Sequence, residues 1–242
     1  MSDDDTLAQG SNFQQHVQAG AHPPGFHPSV QWDPLMHQGQ GMELYARYVR
    51  PGDLVFDVGA NVGQRTGWFL TLGCRVVAVE PQQDQLEHCD PNAVRVNAAV
   101  GARAGRETFY VCQSSNYLST LSADYVQKVY EQPGIGGNIY TNTECDVVTM
   151  DGLIERYGLP VFAKIDVEGG ELGVLQGLSQ PLRALSFEVH AFDAAKTEAC
   201  LGRLAELGDY VYTYSPLETF ALQPWPPREL AVFGDVYAVL RP

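Results

Sequence analysis

From Met42 onward the chain alternates between two hydrophobic patterns, one spaced at helical intervals and one in compact apolar runs. Leu44, Tyr45, Tyr48 and Val49 fall on one helical face, and the Pro51-Gly52 step ends that helix. Leu54-Val55-Phe56-Asp57-Val58 is then a compact apolar run, the pattern of a strand buried in a parallel sheet. A glycine turn and a helix ending near Gly73 follow, and Arg75 to Glu80 is a second strand. Val94 to Val100 reads as a third strand, Val161 to Asp166 as another, and Glu171 to Leu178 as a helix. Leu185 to His190 is a further strand. A helix through Leu201, Leu204 and Leu207 stops at Gly208, and Tyr210 to Tyr214 and Val236 to Leu240 are the last two strands. Strands alternating with helices predict an α/β fold with a doubly wound, mostly parallel sheet and right-handed crossovers.

Two stretches break the rhythm. Between residues 101 and 150, the strand-like runs Glu107 to Cys112 and Glu144 to Met150 bracket a segment rich in Ser, Asn, Gly and Tyr. This predicts an insertion over the sheet edge, and so long a connection in a compact domain is usually functional. Residues 1 to 40 lack either period and contain Pro23-Pro24-Gly25, so they read as an irregular arm ahead of a single domain over 41–242. Phe26, Trp32, Leu35 and Met36 could dock the arm on the body, and its four His (His16, His22, His27, His37) show no ligand spacing.

Charge narrows the function classes. The 242 residues carry 29 acidic and 15 basic side chains, a net −14, of which the arm contributes −4. A body this acidic, with no dense basic patch, argues against nucleic acid. No apolar run is long enough to span a membrane and the first residues lack a signal-peptide pattern, so a cytoplasmic location is expected. Five scattered Cys without a Cys-x-x-Cys pair predict reduced, packed thiols.

The first strand-turn-helix reads Asp57-Val58-Gly59-Ala60-Asn61-Val62-Gly63. Ligands of open α/β sheets bind beyond the carboxyl ends of the strands, where Gly59 permits a sharp turn and Gly63 a close approach at the helix start. Glu80, 21 residues after Gly59, closes the second strand, where a carboxylate can accept both ribose hydroxyls. A dinucleotide turn would need Gly at the position of Asn61, and Asp57 would repel a diphosphate. S-adenosylmethionine, with a ribose, no phosphate and a cationic sulfonium, fits better.

A second cluster lies at Lys164-Ile165-Asp166-Val167-Glu168-Gly169-Gly170-Glu171 and Glu188-Val189-His190, at the ends of adjacent strands. Strand alternation puts Lys164 with Asp166 on one face and Glu188 with His190 on one face. Such groups are costly to bury unpaired.

Together these blocks, with Val79-Glu80-Pro81, Asn97-Ala98-Ala99-Val100 and Thr149-Met150-Asp151, resemble the FkbM-type family of class I S-adenosylmethionine-dependent methyltransferases over roughly Asp53 to His190. The resemblance implies a Rossmann-like sheet of seven strands, the last antiparallel, and O-methylation of a hydroxyl on a sugar, glycan or natural product. It also implies that Asp57, Gly59, Asn61 and Gly63 line the methionine moiety with Ala60 in the same turn, that Glu80 holds the ribose, and that Asn97 and Ala98 meet the adenine. The arm and the Gly134 to Asn138 loop lie outside it.

Methyl transfer needs a base within reach of the acceptor hydroxyl. Asp166 or His190 is expected in that role, with Glu188 orienting His190; the alternative is a divalent metal on Asp166, Glu188 and His190, but the metal-free version is preferred and no metal ligand is assigned. Lys164 is expected in a structural ion pair, and Glu168 and Glu171 as helix N-terminal acids. Tyr117, Tyr125, Tyr130 and Tyr140 could stack on an acceptor, and Ser114, Ser115 and Asn116 could bond its hydroxyls. Two other classes stay open: a catalytically silent S-adenosylmethionine-binding module, and an NAD-dependent dehydrogenase, which Asn61 disfavours.

Overall fold

The computed structural model describes residues 34–242 apart from 116, 133–136 and 218. Eight strands form the main sheet in the order β10-β9-β11-β8-β7-β1-β2-β3, where β1 is Leu54–Val58, β2 Arg75–Val79, β3 Val94–Val96, β7 Phe162–Ile165, β8 Ala184–His190, β9 Tyr210–Pro216, β10 Gln223–Pro224 and β11 Phe233–Leu240. The five strands from β3 to β8 pair in parallel. The last strand, β11, slots antiparallel between β8 and β9, as expected. The sheet exceeds the seven expected strands by β10, a two-residue edge pairing antiparallel to β9.

Alternation along β1, β2 and β7 builds two cores. Phe56, Val58, Val77, Val79 and Ile165 point to one face, where they meet Leu175, Cys200 and Leu204. Val55, Val76, Ala78 and Phe162 point to the other, against Tyr45, Trp68 and Phe69. The two faces are covered by helices α1 (Pro34–Tyr45) and α2 (Gln64–Thr71) on one side and by α6 (Glu171–Gln176) and α7 (Ala194–Leu207) on the other, with α3 (Gln83–Leu86), α4 (Ala123–Tyr130) and α5 (Met150–Tyr157) between them in sequence. All five Cys are free and buried. Among the described residues no helix is long and apolar enough to cross a membrane.

Three expectations need correction. Helix α1 begins at residue 34, inside the stretch read as irregular, and ends at Tyr45; Tyr48 and Val49 sit in a turn whose N–H groups bond the Tyr45 carbonyl at 2.9 and 3.1 Å. The expected strand Val94 to Val100 divides. The Asn97 side-chain amide donates to the Glu80 carbonyl at 3.1 Å and the Pro81 carbonyl at 2.9 Å, which bends the chain, so Ala99–Val100 (β4) leaves the main sheet. It joins β5 (Gly105–Cys112) and β6 (Tyr140–Val148) in a separate three-stranded sheet, the body of the insertion. The readings placed on His16, His22, His27, Phe26 and Trp32 lie outside the described residues, as do those on Asn116 and the side chains of Leu35, Met36 and His37.

Candidate active site

The carboxyl ends of β1, β2 and β7 open into a cleft of about 220 Å³. Its wall includes Gly59, Ala60, Asn61, Glu80, Ala98 and Asp166, six of the residues singled out in the sequence.

The turn after β1 is shaped by close packing. Gly59 has φ +78°, and a Cβ there would run into the Asp166 carbonyl, whose carbon would be 2.8 Å away. The absence of a side chain therefore lets strand end meet strand end, rather than making room for a ligand. Gly63 is similar: its neighbour is Cys89, and it does not line the cleft. Asn61 also has positive φ, +49°, a conformation Asn tolerates better than most side chains. In that pose its backbone N–H donates to Glu80 Oε2 at 3.0 Å, while the Gln82 N–H donates to Oε1 at 3.0 Å. Glu80 is thus clamped in place, 6% exposed, with its carboxyl pushed up by burial against the pull of those two bonds.

Asp57 lies behind the turn. It is fully buried, accepts from Thr66 Oγ1 at 2.6 Å and leaves Oδ1 without a hydrogen bond among the described residues. Burial raises its carboxyl, opposed by the nearby Lys164 charge. Asn97 acts through its bonds to the turn after β2 rather than on the cleft wall.

Lys164 and Asp166 form the expected ion pair at 2.6 Å. Burial alone would lower the Lys164 pKa, but the Asp166 and Asp57 charges outweigh it and raise it. In return, burial pushes Asp166 up and Lys164 more than offsets this, holding its carboxyl below the usual range. Asp166 is therefore ionised at the cleft.

The second cluster differs from the expectation for Glu168. Glu171 is the helix N-terminal acid: it starts α6 and accepts from Val167 N–H at 3.2 Å and Gly169 N–H at 3.1 Å. Glu168, at φ +55°, turns away from the helix and accepts a short hydrogen bond from the Tyr125 hydroxyl. Tyr125 is 1% exposed, so it is no platform for an acceptor; it crosses from α4 above Gly169, where a Cβ would come 2.7 Å from Tyr125 Cβ. The same hydroxyl stands 3.4 Å from His190 Nε2. Glu188 and His190 sit beyond Glu168, lining a separate hollow of about 10 Å³, with Glu188 Oε2 3.4 Å from His190 Nε2. Burial, with Asp166 adding to it, pushes the Glu168 and Glu188 carboxyls well above the usual range. Burial lowers His190 to about 4, so its imidazole is neutral.

Sequence reasoning missed what the insertion brings. Phe109, Ser119 and Leu121 join Tyr117 on the cleft wall, and Ser119 Oγ lies 3.4 Å from Gln82 Oε1. The Ser- and Tyr-rich composition was the available signal, but it does not single out Ser119. Tyr130 and Tyr140 pair with each other, ring centroids 5.9 Å apart.

A family model described as the methyltransferase FkbM domain matches residues 57–214. The chain is 33% identical over 195 residues to 31-O-demethyl-FK506 methyltransferase FkbM of Streptomyces tacrolimicus, covering 65% of this chain and 71% of that protein. It is 28% identical over 151 residues to hexuronic acid methyltransferase AglP of Haloferax volcanii, covering 57% of this chain and 56% of that protein. Among solved structures it is similar to a TehB-like SAM-dependent methyltransferase from Corynebacterium glutamicum, at 11% identity and TM-score 0.46, covering 96% of each chain.

Proposed function

Because the chain belongs to the FkbM methyltransferase family, we propose that it uses S-adenosylmethionine to methylate a hydroxyl oxygen of a sugar, glycan or natural product. The observation that carries this reading is one cleft with a clamped carboxylate, Glu80, on its wall and an ionised one, Asp166, on the wall across the glycine turn. Both curated relatives bear names of methyltransferases, one an O-demethyl compound's and one a hexuronic acid's.

The residues fit the cofactor. Glu80 has one hydrogen bond to each oxygen from the backbone, leaving further lone pairs to accept two ribose hydroxyls. Ala98, with Phe109 and Leu121 from the insertion, supplies apolar surface for a flat ring. Asp166, kept ionised by Lys164, gives the cleft a negative end suited to a sulfonium and an ammonium group. When bound, S-adenosylmethionine supplies an electrophilic methyl group on a cationic sulfur.

The chain's own residues then have to place the acceptor oxygen and take its proton. Asp166 is the ionised carboxylate on the cleft wall and is the proton acceptor in this reading; Lys164 orients it from behind. Glu188 and His190 stand behind Glu168 and act on the acceptor end of the cleft through it. Tyr117, on the rim and 48% exposed, offers a ring face to the acceptor.

The test is ligand-induced stabilisation followed by methyl incorporation. S-adenosylmethionine or S-adenosylhomocysteine at a hundred times its Kd should add about 2.7 kcal/mol of stability; NAD should add none. Failure of both to shift the melting curve refutes the cofactor reading. Methyl transfer to amines but to none of a panel of hydroxylated sugars and natural products refutes the acceptor class.

A further inference from the structure

We propose that Glu168, Glu188 and His190 form a binding site for a first-row divalent cation, with Mn²⁺ as the natural probe, at the acceptor end of the cleft. One carboxylate oxygen from each Glu and one ring nitrogen of His190 lie within 4.8 Å of one another. Donors about 2.1 Å from one ion stand about 3.0–3.4 Å apart in octahedral or tetrahedral geometry; Glu188 Oε2 and His190 Nε2, 3.4 Å apart, already match, and side-chain rotation would bring Glu168 to the same spacing. Two carboxylates with one neutral imidazole make a mixed oxygen and nitrogen set suited to Mn²⁺, Fe²⁺ or Zn²⁺.

The surroundings point to a missing positive charge. Glu168 and Glu188 lie together here, with Asp166 beside Glu168 on the wall of the main cleft. The cations nearby are committed elsewhere: Lys164 to Asp166 at 2.6 Å, and Lys196 to the Gly169 carbonyl at 2.7 Å and to Asp193 at 3.2 Å. Glu168 is bonded by a neutral phenol, and Glu188 Oε2 is buried with no hydrogen-bond partner among the described residues. Two such carboxyls are costly to ionise side by side, and a bound dication would supply the charge that lets both give up their protons.

The backbone holds the donors in place independently of any ion. Glu171 accepts the N–H groups of Val167 and Gly169, fixing the loop that turns Glu168 inward. Glu188 and His190 share one face of β8, two residues apart and in register with Asp235 and Phe233 of β11. Glu168 also lines the main cleft, so a cation here would contact an acceptor hydroxyl beside Asp166. Asp166 lines the same cleft wall, so a hydroxyl held by the cation, and acidified by it, would present its proton to that carboxylate. This catalytic use of the cation rests on the function proposed above; its binding does not.

The experiment is Mn²⁺ titration of the chelator-treated full chain, read by electron paramagnetic resonance of the free ion. The wild type should bind one Mn²⁺ per chain, and Glu168→Gln and Glu188→Gln should each bind at least tenfold more weakly. Thermal melting and S-adenosylhomocysteine binding of the same variants show that they fold and keep the cofactor cleft. Absence of bound Mn²⁺ at millimolar concentration in the wild type, or equal affinity in folded variants, overturns the proposal. Mn²⁺ binding without S-adenosylhomocysteine binding would leave the cation site standing and remove the methyltransferase reading.

Discussion

Adding one methyl group at Gly59 tests how the cleft is assembled. In Gly59→Ala the new Cβ meets the backbone of Asp166, with the carbonyl carbon 2.8 Å away, which cannot swing aside, and also the Val167 methyl Cγ1 at 3.3 Å. The φ of +78° costs a side-chain-bearing residue about 1–2 kcal/mol, and overpacking a tight contact adds about 1–3 kcal/mol. Loss of unfolded-chain freedom offsets about 0.4–1 kcal/mol, leaving a net destabilisation of about 1–4.6 kcal/mol. Gly67→Ala is the matched control. Gly67 lies inside α2 with nothing among the described residues within 4 Å of its added Cβ, so the same substitution there should stabilise by about 0.5–1 kcal/mol. Equilibrium urea unfolding reads both, as midpoint shifts of opposite sign with unchanged slope. The Asp166 N–H bonds the Val58 carbonyl at 2.9 Å, so relief of the clash also displaces the Lys164–Asp166 pair, and S-adenosylhomocysteine affinity should fall in Gly59→Ala alone. An unchanged midpoint in Gly59→Ala, or an equal loss in Gly67→Ala, would refute the packing account of this turn.

Other residues give sharper functional readouts. Glu80→Gln should weaken S-adenosylhomocysteine binding about 10- to 100-fold in isothermal titration, since hydrogen bonds to a charged group contribute about 1.5–3 kcal/mol; wild-type affinity would remove Glu80 from the ribose site. Asp166→Asn should cut turnover at saturating S-adenosylmethionine about a hundredfold or more, and retained turnover would take proton transfer away from it. Asp193 ties α4 to α7 through Lys128 at 2.8 Å and Lys196 at 3.2 Å. Burial pushes its carboxyl up, but the two lysines outweigh this and hold it below the usual range. The stabilisation is therefore present at neutral pH and lost as pH falls through the folded-state value. Asp193→Asn should lower Tm at pH 7, and the difference should shrink below about pH 4; a pH-independent difference would contradict the ion-pair origin.

What the sequence made legible follows from how local each cause is. Leu54 to Val58 and Arg75 to Val79 announce themselves because a strand buried on both faces is mostly apolar, four residues of five in each case; Asp57 is the buried exception in β1, and Arg75 is exposed at the start of β2. The division at Asn97 could not be read so, because it depends on a side-chain bond to a carbonyl 16 and 17 residues away. The α1 sequence, with Gln38, Gly39, Gln40 and Gly41 inside it, carries too little helical periodicity to be distinguished from an irregular arm, and tertiary packing of Leu44 and Tyr45 decides it. Glu168 and Glu171 are equally good helix N-terminal acids on paper. Only the positive φ at Glu168, and Tyr125 arriving from 43 residues away, separate a cluster member from a loop anchor.

The same separation explains how an acidic chain can bury so many carboxylates in one place. Asp57 and Glu80 are stabilised from within, by Thr66 and Lys164 in one case and by two backbone N–H groups in the other. Asp166 has a dedicated lysine. Those three can stay in place whatever the cleft contains, so they define its shape. Glu168 and Glu188 have, among the described residues, neither a lysine nor a pair of backbone N–H groups, only the Tyr125 hydroxyl on one and the neutral His190 ring beside the other, and remain the groups whose charge state depends on what enters. Of the net −14, the part that matters for chemistry is therefore these two carboxylates, and a ligand bringing positive charge to them is favoured over any that does not.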